Sequence, residues 1–137
     1  MHTDLTWLRK MAGENAVRYV KDGMTLGVGS GRTNGYFIDR LGELYQLGEI
    51  TDIRAVPTSE STGARLRFYG IPIVNLVDFP KLDLAVDGAD EVDPEFNLIK
   101  GLGRALMREK IVEIHAKELL IIVDESKLVD RLGTHVP

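Results

Sequence analysis

Cysteine is absent from the sequence, which removes disulfide cross-links, thiolate metal sites and thiol nucleophiles from consideration. A reducing, cytoplasmic setting is the matching expectation. Long apolar runs are missing too. Nothing approaches the roughly 18 consecutive apolar residues of a membrane span, and MHTDLTWLRK has no apolar core of a secretory leader. The expectation is a soluble protein with no membrane partner. Charge of one sign is also lacking: a net −4 gives no whole-molecule attraction to nucleic acid, so local donors must hold any anionic ligand. There is no internal repeat, low-complexity segment or linker. What remains is 137 residues at 44% apolar content, enough for one core and too short for two full-sized domains. Residues 1–137 are therefore read as a single domain.

Strand-like and helix-like patterns alternate along the chain. Leu5, Leu8, Ala12, Ala16, Tyr19 and Val20 recur near helical spacing, with Trp7 read as a packing anchor, and a strand follows at Met24 to Val28. After a glycine-rich turn, Tyr36 to Leu47 predicts a second helix ending at Gly48. Ile53 to Val56 predicts a strand closed by Pro57, and Thr58 to Tyr69 a helix with Thr58 or Ser59 as N-cap. A short strand is expected at Ile71 to Leu76, another at Leu82 to Val86, a helix at Ala105 to Lys117, and a strand at Leu119 to Val123 too apolar for a wet surface. Such alternation implies an α/β domain with an open, mostly parallel sheet and helices on both faces.

Ligands of open parallel sheets bind outside the carboxyl ends of the strands, and the polar motifs stand there. GVGSGRT, Gly27 to Thr33, follows a strand and opens a helix. Its glycines admit a close ligand, and free N–H groups with the helix dipole favour an anion such as phosphate. The same loop also reads as a plain strand-to-helix turn. It is neither a P-loop nor G-x-G-x-x-G, and no acid after the next strand would hold a nucleotide ribose. PTSEST, Pro57 to Thr62, offers N-caps and further hydroxyls for an anion.

VDGADEVD, Val86 to Asp93, places four carboxylates after a strand. Alternation puts Leu82, Leu84 and Val86 on one face and Asp83, Ala85 and Asp87 on the other, with Asp87 at the carboxyl end. The spacing is not that of an EF-hand, and no histidine stands nearby; magnesium held through one or two carboxylates stays open as an alternative. Asp93-Pro94 reads as turn chemistry. In KGLGRALMREK, Lys100 precedes a glycine turn and Glu109 lies in a helix. Met107, Ile111 and Ile114 form one stripe; Ala105, Val112 and Ala116 form another around Glu109. Two readings of Glu109 stand: a surface carboxylate paired with a neighbouring base, or a desolvated general base with a raised pKa. His2, His115 and His135 read as surface residues, and no Ser-His-Asp arrangement can be assembled.

Taken together, GVGSGRT, PTSEST, VDGADEVD, KGLGRALMREK and VDESKLVD resemble, in order and separation, the motifs of ribose-5-phosphate isomerase of type A. The likeness spans nearly the whole chain. It implies a Rossmann-like fold and cofactor-independent interconversion of ribose 5-phosphate and ribulose 5-phosphate through an enediolate, in the non-oxidative branch of the pentose phosphate pathway. By the same resemblance Glu109 moves the proton between C2 and C1. Asp87 and Asp90 assist ring opening and hydroxyl proton transfers, and Lys100 steadies charge on the oxygens. Ser30, Gly31, Arg32, Thr33, Gly88, Ala89, Gly101, Leu102, Gly103, Lys127 and Arg9 are the implied substrate-binding set. A homo-oligomer is implied as well.

The chain also departs from the pattern. Arg32 stands where the family has a small hydroxyl residue, and Leu102 and Arg104 interrupt a region otherwise rich in glycine and alanine. By the same resemblance the family continues past the GTHVP-like position into a small α+β domain that this sequence lacks, so the expectation is a truncated form, a fragment or a natural minimal form covered by self-association, with weakened water exclusion and activity. The rival reading is a non-catalytic sugar-phosphate-binding module or an inactive fragment. Retention of Asp87, Asp90, Lys100 and Glu109 together favours the enzyme.

Overall fold

The computed structural model describes residues 5–89, 91–95, 98–99, 106–123 and 127–133. Helix α1 (Leu5–Ala16) tightens into a 3-10 turn (Val17–Tyr19) and leads to β1 (Thr25–Val28), α2 (Arg32–Gln46) and β2 (Arg54–Pro57). Then come α3 (Glu60–Phe68), β3 (Leu82–Asp87), the short pair β4 (Glu91–Val92) and β5 (Leu98–Ile99), α4 (Leu106–Glu113) and β6 (Ala116–Ile121). The main sheet has the order β2-β1-β3-β6 with every pairing parallel, and β4 and β5 form a separate antiparallel pair.

Both faces of the sheet are covered, as the alternation predicts. On one face Leu26, Val28, Ala55, Leu84 and Val86 meet Val17 and Val20, Phe37, Ile38 and Leu41 of α2, and Leu66 of α3. Phe37, Leu41 and Leu66 are fully buried, and each such side chain contributes about 1.5–3 kcal/mol of burial free energy. On the other face Val56 and Leu82 meet Val112 of α4.

Several expectations are corrected. The stripe of α1 and the 3-10 turn after it that faces the core is Gly13, Ala16 and Val17, continued by Val20; Trp7 and Tyr19 are exposed, because small residues at 13 and 16 let α1 lie close on α2 and turn the aromatics outward. Leu82, the first residue of β3, packs in the cluster opposite to Leu84 and Val86. The segment at 71–76 is not a strand. Pro72 supplies no N–H, and the contact reduces to one bridge, Ile73 to Ala55, with Ala55 N donating to Pro72 O at 2.9 Å and Val74 N to Ala55 O at 3.0 Å.

Helix α4 stops at Glu113 rather than Lys117, and β6 begins three residues early, at Ala116. The cause is a turn in which His115 Nδ1 lies 2.7 Å from Ile111 O and His115 O accepts from Leu82 N at 2.9 Å. That bond starts the β3–β6 pairing. Within the described residues β6 is the sheet's edge, and residues 117–119 are exposed, so the expectation of a buried last strand fails.

Candidate functional site

In the strand order β2-β1-β3-β6 the chain goes from β1 to one side and later returns to the other. The loops after β1 and β3 therefore diverge, opening a crevice at their carboxyl ends. Backbone bonds fix this edge: Gly29 N donates to Val86 O at 2.8 Å, Thr58 N to Val28 O at 3.0 Å, and Ile122 N to Asp87 O at 2.8 Å.

Asp87 ends β3 at this crevice and is 2% exposed. Its Oδ1 accepts from Gly88 N at 2.8 Å, and the carboxylate lies against the Cα of Gly29 so closely that a methyl group there would overlap it. Glycine at 29 is thus required by close approach. Beside both sits Asn34, 1% exposed, whose Nδ2 donates to Val86 O at 2.9 Å. Its Oδ1 has no hydrogen-bond partner among the described residues.

Glu109 lies in the first turn of α4 and is 7% exposed. The surface position expected for a Glu109 paired with a neighbouring base does not hold, since the side chain is buried; the stripe that faces water is Met107, Ile111 and Ile114. Val112, one turn further on, packs over Gly27 and Ala85 of the sheet. Because α4 ends beside the start of β3, its first turn points back toward the carboxyl edge. This places Glu109 on the Asp87 side of the sheet, nearer the crevice than Val112 by about one helical turn. A buried carboxylate on each of two elements converging on one edge is costly for folding alone.

The hydroxyls of PTSEST meet the loop after β1. Ser30 Oγ lies 3.2 Å from Thr58 Oγ1, 2.8 Å from Ser59 Oγ and 3.2 Å from Thr62 Oγ1. Of the two N-cap candidates Ser59 caps α3, accepting from Thr62 N at 3.2 Å. Thr62 Oγ1 in turn donates to Gly29 O at 3.2 Å. The α2 N-cap is Gly31, at φ 100°, with no side-chain cap, so the first-turn N–H groups of Arg32 and Thr33 keep the donor character that suits an anion.

On the outer side of this turn a cavity of about 250 Å³ is lined by Thr6, Arg9, Arg32, Tyr36 and Arg65. Arg65 is held from behind by Asp39: Nε to Oδ1 at 2.8 Å and Nη2 to Oδ2 at 2.7 Å. Tyr69 Oη adds a third bond, to Asp39 Oδ1 at 2.9 Å. The Arg65 hydrogen bonds hold the Asp39 carboxyl below its usual range. Burial, and then the neighbouring Asp39, push the Tyr69 phenol up to about 12.

Of the residues expected at the site, Asp87 ends β3 and Gly88 and Ala89 follow it, Ser30 and Gly31 lie in the loop after β1, Arg32 and Thr33 open α2, and Glu109 is buried in the first turn of α4; Arg9 joins Arg32 in the cavity. Lys127 precedes Leu128, which bridges to Val92 of β4. Asp90, Lys100, Gly101, Leu102 and Gly103 lie outside the described residues. Asp93 behaves as the turn residue expected, accepting from Glu95 N at 3.0 Å. Among the described residues no group of three or more His, Asp or Glu side chains converges as a metal site would need. Sequence reading missed Asn34, Tyr36, Asp39 and Arg65. Tyr36 was visible at i+4 from Arg32 on the same helix face, whereas the Asp39–Arg65 pair joins separate helices and left no local signal.

An open parallel α/β domain with buried carboxylates and an uncapped helix start at its strand switch point belongs to the doubly wound ligand-binding class. Residues 54–137 match the family ribose 5-phosphate isomerase A (phosphoriboisomerase A). The chain is 46% identical over 130 residues to ribose-5-phosphate isomerase A of Thermococcus kodakarensis, covering 95% of this chain and 57% of that one. It is 48% identical over 126 residues to a probable chloroplastic ribose-5-phosphate isomerase of Arabidopsis thaliana, covering 92% and 46%. A solved D-ribose-5-phosphate isomerase in complex with phospho-erythronic acid superposes with a TM-score of 0.96 at 45% identity, over 98% of this chain and 59% of that one. The enzyme from Methanocaldococcus jannaschii superposes at 0.92 with 41% identity, over 98% and 59%. The chain belongs to the ribose 5-phosphate isomerase A family, and it spans about half the length of the curated relatives it matches. No helix among the described residues is long and apolar enough to cross a membrane.

Proposed function

We propose that residues 1–137 act as one α/β sugar-phosphate isomerase domain that interconverts D-ribose 5-phosphate and D-ribulose 5-phosphate. The observation that supports this reading is the burial of two carboxylates, Asp87 at the end of β3 and Glu109 in the first turn of α4. An aldose–ketose isomerisation moves a proton from C2 to C1 and a second between the two oxygens, so it needs a carbon base and an oxygen acid/base. Glu109 takes the first role, and Asp87 with Asp90 takes the second, which includes ring opening. Lys100 steadies the enediolate oxygens. The loop from Ser30 to Thr33, the residues Gly88, Ala89, Gly101, Leu102, Gly103 and Lys127, and the cavity residue Arg9 hold the substrate.

Positioned proton transfer contributes about 10²–10⁴-fold, and charge stabilisation on the oxygens must supply a comparable further part. No cofactor is required for this chemistry. The domain works in the cytoplasm as a homo-oligomer. Incubation of the chain with ribose 5-phosphate, following appearance of the ketose, tests the reading; saturable binding without ketose would replace it with a sugar-phosphate-binding module. Mass measurement in solution tests the oligomer, and a monomeric mass at working concentration would remove that part.

A further inference from the structure

Helix α4 carries Glu109, the residue assigned as carbon base, yet little of its surface meets the sheet. Among its described side chains only Glu109 and Val112 are buried, while Met107, Arg108, Lys110 and Ile111 are exposed. Val112 is thus the apolar knob on which the helix rests, in a cluster with Val56 and Leu82. The seat beneath that knob is made by a missing side chain. Gly27 lies within β1, paired with Val56 on one side and Ala85 on the other. A methyl group at 27 would stand 2.5 Å from Val112 Cγ1, 3.1 Å from Leu82 Cδ1 and 3.3 Å from Ala85 Cβ. Gly27 is not at positive φ, so no turn requires a glycine there, and glycine inside a strand weakens it unless something approaches closely. Val112 is what approaches. Valine in a helix is confined almost wholly to one χ1 rotamer, so it cannot swing aside, and an added methyl at 27 must lift α4. Glu109 precedes Val112 by three residues, a rise of about 4.5 Å on the same helix, and moves with it.

We propose that Gly27 is a positioning residue for Glu109: the notch left by its absent side chain seats Val112 and so sets the depth at which α4 carries its first-turn carboxylate. The inference rests on the isomerase reading and adds to it what holds the base in place. Gly27 acts through Val112 and touches no reacting atom. Its effect falls on the chemical step, because a base misplaced by about 1 Å can cost about 10²-fold in rate. The loop assigned to substrate binding is tied instead to β3 and α3, through Gly29 N to Val86 O at 2.8 Å and Thr62 Oγ1 to Gly29 O at 3.2 Å, so binding is largely spared.

Steady-state ketose formation and amide hydrogen exchange of α4, measured on Gly27→Ala, Val112→Ala and the double variant, test the proposal. Gly27→Ala lifts the helix and is expected to lower kcat about tenfold or more, with KM changed by less than about threefold. Val112→Ala leaves the helix unseated and lowers kcat as well, and both single variants speed α4 exchange. The two changes together offset each other in volume, so the double variant is expected to turn over faster, and exchange more slowly, than either single one. Two independent structural losses would instead add, leaving the double variant slowest. If Gly27→Ala does not fold, Val112→Ala and the double variant carry the test. Parent-like kcat in Gly27→Ala, or a double variant no faster than the single variants that fold, overturns the proposal. If the parent chain forms no ketose, the isomerase reading is what fails, and exchange alone then decides the seating: α4 exchange as slow in Gly27→Ala as in the parent overturns it.

Discussion

The Asp87 carboxylate rests directly on the Cα of Gly29, across the gap between β3 and the loop that follows β1. Each of the two residues therefore sets the position of the other: Gly29 N bonds Val86 O at 2.8 Å, one residue before Asp87. Gly29→Ala should force the carboxylate away from the crevice. The expected outcome is a destabilisation of about 1–3 kcal/mol together with a fall in kcat of at least tenfold, read by urea unfolding and by steady-state ketose formation. A variant with parent-like kcat would show that the position of Asp87 does not matter to the reaction.

Asn34 holds the same edge from below. Its Nδ2 is the side-chain donor to Val86 O, and at 1% exposure no water is available to replace it. Asn34→Ala removes one of the two donors to that carbonyl, which keeps its bond from Gly29 N at 2.8 Å, and should cost about 0.5–1.5 kcal/mol. Asn34→Asp is expected to be worse, because it buries a second carboxylate beside Asp87. Equilibrium unfolding of the two variants checks the order, and an Asn34→Asp protein as stable as the parent would contradict the account.

The cluster of Asp39, Arg65 and Tyr69 gives the stability a pH signature at both ends. Asp39 has a folded pKa below its ordinary 3.8, chiefly through hydrogen bonds from Arg65. Its contribution is present above 3.8 and is lost as pH falls below that value through the folded pKa. Tyr69 is shifted the other way, from 10.0 up to about 12, so its contribution is present below 10.0 and is lost as pH climbs toward 12. Thermal melts across pH should show both declines. Tyr69→Phe should flatten the alkaline one, and a parent-like alkaline decline in that variant would show that other groups cause it.

Much of this was legible in the sequence because it rests on local pattern. The α2 stripe of Phe37, Ile38 and Leu41 and the strand Leu82 to Val86 followed by Asp87 declare themselves by periodicity, and glycines mark the turns at 29 and 31. Family resemblance then gave the site residues a common purpose. What was not legible depends on partners far apart in sequence. Trp7 looked like a core residue by type, yet Gly13 and Ala16 pack inward, so only the helix pairing shows which stripe is buried. The burial of Glu109 was undecided until the pairing of β3 with β6 fixed which face of α4 meets the sheet. The Arg65–Asp39 clamp spans 26 residues and has no motif, so it emerges only when α2 and α3 lie side by side.

The central claim is that Glu109 carries the proton between the two carbons. Replacing it with glutamine keeps the size and removes the basicity, so the most direct measurement is kcat for ribose 5-phosphate in Glu109→Gln beside the parent chain, with phosphate affinity measured on both. The account predicts a loss in kcat of about 10²–10⁴-fold with phosphate binding unchanged. A Glu109→Gln chain that turns over ribose 5-phosphate as fast as the parent would contradict it.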